Sequence, residues 1–81
     1  MFFVYVLKST TKNYIYVGLT NNLERRVNEH QKGKGHTTAP YRPFELLCAE
    51  TFTTRPEARK REKYLKSGVG KDWIKAEFVV K

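Results

Sequence analysis

The residues able to do chemistry fall into two groups. Tyr5, Tyr16, Arg26 and His30 stand in the first half of the chain, and Glu62 stands among Arg59, Lys60, Lys63 and Lys66 in the second. A phenol beside a cation can lose its proton below the ordinary pKa of about 10 and then take one from water. A guanidinium keeps its charge when sheltered and can fork onto two phosphate oxygens. One carboxylate, completed by waters and substrate oxygens, is a normal way to hold Mg²⁺. Together these types suit phosphate-ester chemistry with one divalent ion, Mg²⁺ or Mn²⁺, polarising the phosphate and stabilising the leaving oxygen.

Each residue also has a plainer role open to it. Tyrosines are common in strands and are usually structural. With Leu23 as the zero of a helical wheel, Val27 falls at about +40°, His30 at about −20° and Arg26 at about −60°. Arg25 lies nearly opposite and is expected in solvent, whereas Arg26 is partly sheltered. Its head is then either on a phosphate or in water above a buried stem. His30, in the apolar stripe one turn after Arg26, is either a hydrogen-bonded core residue or a catalytic one. Glu62 lies about 40° from Ala58, on the packing face marked by Ala58 and Leu65. A carboxylate there is costly unless paired or bound to metal. Arg61, on the stripe's other edge, is the candidate partner for a structural ion pair.

These side chains need a hairpin and two helices to position them. Phe2 to Lys8 is a near-continuous run of β-branched and aromatic residues, which predicts a central strand covered on both faces. Residues 9–13 are polar and make the turn, and Tyr14 to Leu19 is a second strand. Alternation puts Phe3, Tyr5 and Leu7 on one face of the first strand and Tyr14, Tyr16 and Gly18 on one face of the second. Gly18 leaves room for a close approach. Asn21, with Glu24 three residues on, predicts a helix N-cap and a helix running to about Gly33. Lys34 to Pro43 is a basic loop, and Phe44 to Phe52 a third strand. Thr54-Arg55-Pro56-Glu57 starts a helix that runs to about Ser67, stopped by Gly68. A short third helix is expected from Lys71 to about Phe78, anchored by Trp73. The order β-β-α-β-α(-α) gives an α+β domain, a small three-stranded and mainly antiparallel sheet flanked by helices.

Composition narrows the partners. Eighty-one residues make one domain, 1–81, with a thin core. Sixteen Lys and Arg against eight Asp and Glu give a formal charge of +8, which favours nucleic acid. The basic residues of the second helix suit a phosphate backbone, and Lys32 and Lys34 add charge at the end of the first. One Cys and two His cannot build a zinc site, and Cys48, in an apolar run, reads as a buried small hydrophobe. No Gly-rich nucleotide loop appears. No segment is long and apolar enough for a membrane helix and no leader is evident, so a cytoplasmic location is expected. A protein partner or homodimer is left open.

The spaced set resembles the GIY-YIG nucleases. Phe3-Val4-Tyr5 stands where the family has Gly-Ile-Tyr, and Tyr16-Val17-Gly18 where it has Tyr-Ile-Gly. Thr20-Asn21-Asn22-Leu23-Glu24-Arg25-Arg26 with His30 is similar to the segment leading to the catalytic arginine. Glu57-Ala58-Arg59-Lys60-Arg61-Glu62 is similar to the helix carrying the metal-binding glutamate. The resemblance covers residues 2 to about 67 and is nearest to the small stand-alone proteins called excinuclease-C-like or UPF0213-like. It implies metal-dependent phosphodiester cleavage of DNA, in repair or recombination. Tyr5 and Tyr16 become the motif tyrosines, Tyr16 the base, Arg26 the phosphate ligand, His30 a helper and Glu62 the metal ligand. Two departures stand out: Phe3 replaces Gly, and Leu19 stands where repair members often carry a lysine that helps activate the tyrosine. With no second DNA-binding domain in the chain, the alternative is a weakly catalytic or non-catalytic nucleic-acid-binding module.

Overall fold

The computed structural model describes residues 1–35 and 37–79. Strands β1 (Phe2–Ser9), β2 (Ile15–Thr20) and β3 (Phe44–Phe52) form one antiparallel sheet in the order β2-β1-β3. Helix α1 (Leu23–Gln31) follows β2, and α2 (Arg55–Lys66) and α3 (Gly68–Ile74) follow β3. This is the α+β order expected. The unbroken apolar run of β1 takes the centre, where both faces need cover.

Pairing sorts the β1 side chains into two layers. Tyr5 lies opposite Gly18 of β2 and Ala49 of β3, and Leu7 opposite Tyr16 and Leu46. Tyr5 and Leu7 pack with Tyr14, Tyr16, Leu23, Val27, Tyr41 and Phe44 on the α1 side. Val4 and Val6 point the other way, joining Ile15, Val17, Ala58, Leu65 and Ile74 beneath α2 and α3. The register of β1 against β2 therefore puts the two phenols on one face.

Several boundaries differ from the sequence expectation, each for a local reason. The α1 cap is Asn22, whose side chain accepts from Arg25 N–H at 3.1 Å. Thr20 displaces the turn by one residue, because its hydroxyl accepts from Asn22 N–H and donates to Asn22 C=O. Glu24 therefore sits one position too early to complete a capping box with this cap. At the other end Gly33 has φ 78. Gly33 N–H bonds the His30 carbonyl and Lys34 N–H the Glu29 carbonyl, a Schellman stop that only a left-handed residue closes without strain.

Strand β2 begins at Ile15, because Tyr14 is drawn off to stack on Tyr41 with ring centroids 3.9 Å apart. Between α1 and β3 the expected loop contains one 3₁₀ turn, Ala39–Tyr41. Helix α2 starts as read, with Thr54 accepting from Glu57 N–H. Helix α3 starts earlier than expected, at Gly68 rather than Lys71. Ser67 both ends α2 and caps α3, its hydroxyl accepting from Gly70 N–H at 3.2 Å. Lys75–Val79 continues as a wider, π-type turn in which Phe78 meets Trp73 edge-on. Cys48 is half-buried rather than buried, at the margin of the α2-side core. Burial pushes its thiol pKa up, so it stays protonated and unreactive.

The α2–α3 corner gives a test of this packing. A Cβ at Gly70 would meet the Tyr64 carbonyl and the Leu65 Cα, both backbone, whereas one at Gly68 would meet nothing within 4 Å. Gly70→Ala should cost about 1–3 kcal/mol by overpacking. That lowers Tm by roughly 4–8 °C per kcal/mol for a domain of this size. Gly68→Ala should leave Tm nearly unchanged. Equal melting of the two variants would refute the close approach at Gly70.

Candidate active site

The α1-side layer holds a buried polar chain. The Tyr5 hydroxyl and His30 Nε2 are 2.9 Å apart, and His30 Nδ1 is 3.1 Å from Thr38 Oγ1. All three residues are 1% exposed. Tyr5 reaches His30 because Gly18 lies under its ring, where a Cβ would collide with the phenol. Gly35 similarly leaves room for the Thr38 hydroxyl. Gln31, the next residue after His30, bonds both Phe44 N–H and Phe44 C=O at 2.7 Å. That clamp fixes the end of α1 against β3 and so aims the imidazole.

Tyr16 borders this chain, its ring centroid 4.9 Å from that of His30 and 6.2 Å from that of Tyr5. It is half-buried, so it has access to solvent. Arg26 lies on the rim with its side chain 33% exposed, against 61% for Arg25. The wheel had separated the two arginines in this way. Arg26 donates to Glu29 at 2.9 Å, and this bond raises its pKa further, keeping it charged.

The electrostatics correct one expectation. A nearby cation was expected to lower a tyrosine pKa. At Tyr5 burial dominates and pushes it well above its ordinary value, with Tyr16 adding to the rise. The charge of Arg26 pulls the other way without compensating. Tyr5 is therefore a protonated phenol, a donor or acceptor rather than a base. His30 is shifted down, first by burial and then by Arg26, so the imidazole is neutral at neutral pH. A neutral imidazole accepts at one nitrogen and donates at the other, so the chain has two alternative proton arrangements.

Comparison with known proteins places the chain in a family. The family model described as the GIY-YIG catalytic domain matches residues 1–75. The chain belongs to the GIY-YIG family. That is a family of nuclease catalytic domains. The UPF0213 protein YazA of Bacillus subtilis is 45% identical over 79% of this chain and 65% of its own length. A UPF0213 protein of Staphylococcus epidermidis is 41% identical over 80% of this chain and 79% of its own. The chain thus spans just under two thirds of the first of these relatives. The solution NMR structure of a UPF0213 protein from Bacillus halodurans covers 94% of this chain and 84% of its own, with TM-score 0.56 and 30% identity.

Set in the GIY-YIG frame, Glu62 comes from the opposite layer. It lies on α2 with Ala58 and Leu65 and is 5% exposed. The expected pair with Arg61 does not form. Neighbouring helix residues do not face each other, and Arg61 instead forks onto Glu50 of β3 at 2.8 and 3.2 Å. Its guanidinium also lies over the Tyr64 and Trp73 rings. Glu62 is held by Arg59 at 3.0 Å on one oxygen and Lys66 at 3.0 Å on the other. Both cations sit one turn away on the same helix and are about half exposed.

Among the described residues no three His, Cys, Asp or Glu side chains gather as a metal cluster. No hydrogen bond or ion pair among them joins Glu62 to the tyrosine–histidine–arginine group. A divalent ion at Glu62 would therefore rest on one carboxylate and displace two half-exposed cations, which suits an ion that keeps most of its waters. Lys60, Lys63, Lys32 and Lys34 are exposed and form no ion pair among the described residues.

Sequence reasoning missed Thr38, Gly35 and Gln31. Thr38 lies in an irregular loop, where no periodicity marks a buried position. Gln31 falls outside the apolar stripe, so the wheel gave it no role.

The depressed His30 pKa makes a stability prediction. Below the ordinary 6.5 the unfolded chain binds a proton that the folded one refuses, so stability rises with pH between the folded value and 6.5. It is lost as pH falls through that window. Tm should drop when pH is lowered from 7 to 5, and His30→Gln should flatten the drop. Glu29 and Glu57, shifted below 4.5, act only at lower pH. Identical pH dependence in wild type and His30→Gln would remove His30 from the account.

Proposed function

We propose that this domain hydrolyses phosphodiester bonds in nucleic acid, DNA in particular, in the cytoplasm, with one divalent ion as cofactor. One observation carries the reading: the buried Tyr5–His30–Thr38 chain ends beside Tyr16 and Arg26 on one face of a strongly basic domain. Buried polar groups of this kind are costly unless satisfied, and here each is satisfied internally while Tyr16 is left with access to solvent.

The roles follow from the environments. Arg26 holds a phosphate oxygen, trading part of its bond to Glu29 for the stronger charge of the substrate. Tyr16 takes the proton of the attacking water. Tyr5, kept protonated by burial, fixes His30, and His30 presents a neutral ring against Tyr16. Glu62 would hold the divalent ion, which when bound supplies charge to stabilise the leaving oxygen. Lys60, Lys63, Lys32 and Lys34 bind flanking backbone phosphates, with Arg59 and Lys66 joining them once Glu62 is neutralised by the ion.

A binding module of low activity is the second reading. It is favoured by the two cations already on Glu62 and by Leu19 in place of a lysine. Glu62→Gln separates the two. The side chain keeps its shape, so folding should change by less than about 1 kcal/mol, since both partners are half exposed. Under the nuclease reading this variant loses Mg²⁺-dependent nicking and keeps its DNA affinity. Arg26→Ala should lower kcat by roughly 10²–10³-fold, as loss of one stabilising donor does elsewhere. Wild type inert toward single-stranded, nicked, flap and branched DNA with Mg²⁺ and Mn²⁺, yet binding them, would leave only the second reading.

A further inference from the structure

We infer that the hollow between the β1–β2 hairpin and α3 is a second phosphate-binding site, taking a backbone phosphate of the same nucleic-acid strand. It is lined by Asn13, Tyr14, Ile15, Lys71 and Lys75 and encloses about 220 Å³. That is below the ~300 Å³ at which pockets begin to hold drug-sized ligands, and suits a group the size of a phosphate.

Its chemistry is that of an anion site. Lys71 and Lys75 form no ion pair with a carboxylate among the described residues. Lys71 Nζ is fixed by donating to the Ile15 carbonyl at 3.1 Å. An ammonium has three donors, so two remain for a ligand. Asn13 adds an amide, and its side chain bonds no other protein group among the described residues.

Lys71, half-buried, and Lys75, exposed, line one hollow, and their like charges repel. Burial, Lys75 and Lys66 in that order lower the Lys71 pKa, and an anion in the hollow removes the strain. A plain structural lysine would answer a carboxylate; this one answers a carbonyl and leaves its charge uncompensated.

The hollow and the candidate active site border the same strand, β2. Tyr14 and Tyr16 are two residues apart in sequence, roughly 7 Å along an extended chain. One nucleic-acid strand advances roughly 3.4 Å per nucleotide. On that scale a phosphate beside Tyr14 and one beside Tyr16 are one to two nucleotides apart on a single strand. That assignment to one strand rests on the proposed function, whereas the affinity of the hollow for phosphate does not.

The test uses both halves. Inorganic phosphate is titrated into ¹⁵N-labelled protein, following the Asn13 side-chain amide and the Gly70, Lys71 and Lys75 backbone amides. Saturable shifts are expected in wild type and should vanish in Lys71→Met/Lys75→Met. Lys75→Met alone, which breaks no protein hydrogen bond, should weaken them, and so guards against a folding defect in the double variant. No saturable shift in wild type overturns the site. A short single-stranded oligonucleotide is then bound across a salt series. The double variant should lose affinity severalfold, with the slope of log K against log salt smaller by about 1. Unchanged affinity and slope, with phosphate still binding, overturn the assignment to the strand. Absence of oligonucleotide binding in wild type at low salt sinks the proposed function and leaves the phosphate titration to decide the hollow.

Discussion

The hydrogen bond between Tyr5 and His30 joins the two elements on which the α1-side layer is built. It runs from the middle of the central strand to the last turn of α1, and both ends are sealed from water. A bond so placed tolerates little error. Gly18 must be without a side chain for the phenol to lie across β2, and α1 must stop where it does for the imidazole to face inward. The Schellman stop at Gly33 and the Gln31 clamp on Phe44 supply that second condition. Thr38 closes the far nitrogen, so the imidazole is buried without an unsatisfied atom.

The opposite layer answers a different demand. Ala58, Leu65 and Ile74 fill it with aliphatic side chains, and Glu62 is its buried carboxylate. A charge there needs compensation, and α2 provides it from its own surface through Arg59 and Lys66. Because both partners are half exposed, their hold is weak and replaceable. Arg61 is the contrast: a two-pronged bond to Glu50 and two aromatic faces tie α2 to β3 and α3. Of two adjacent residues on one helix, one fastens it to its neighbours and the other is paired only within its own helix.

How much of this was legible depended on periodicity. The strands follow from their apolar runs, the α+β class from the order of elements, and the faces of Tyr5 and Tyr16 from alternation once the hairpin register is known; the wheel separated Arg26 from Arg25 and put Glu62 on the packing face. What failed lay where a side chain overrode a local rule. Thr20 moved the α1 cap from Asn21 to Asn22, and Ser67 served two helices at once, so Gly68 opened one instead of only closing another. The Arg61–Glu62 pair failed for lack of long-range information: its real partner, Glu50, is on another element. Thr38 and the Lys71 bond to Ile15 were beyond reach for the same reason, since each joins residues that only the folded chain brings together.

The layering bears on how a substrate must lie. The phenols, His30 and Arg26 belong to one face of the sheet, and Glu62 is carried by a helix packed on the other. Neither group reaches through the sheet, so a phosphate served by both has to lie at a margin of it. Strand β2 is such a margin, being outermost in the order β2-β1-β3 and only six residues long. Tyr14 and Tyr16 lie on or beside it, and Lys71 reaches its first carbonyl from the α3 side. An exposed strand edge ordinarily invites pairing with another chain. Here a lysine bonds the first carbonyl of that strand, which disfavours a partner strand while leaving the margin positively charged. The same residue that guards the sheet thus favours a polyanion running along its edge over a polypeptide pairing with it.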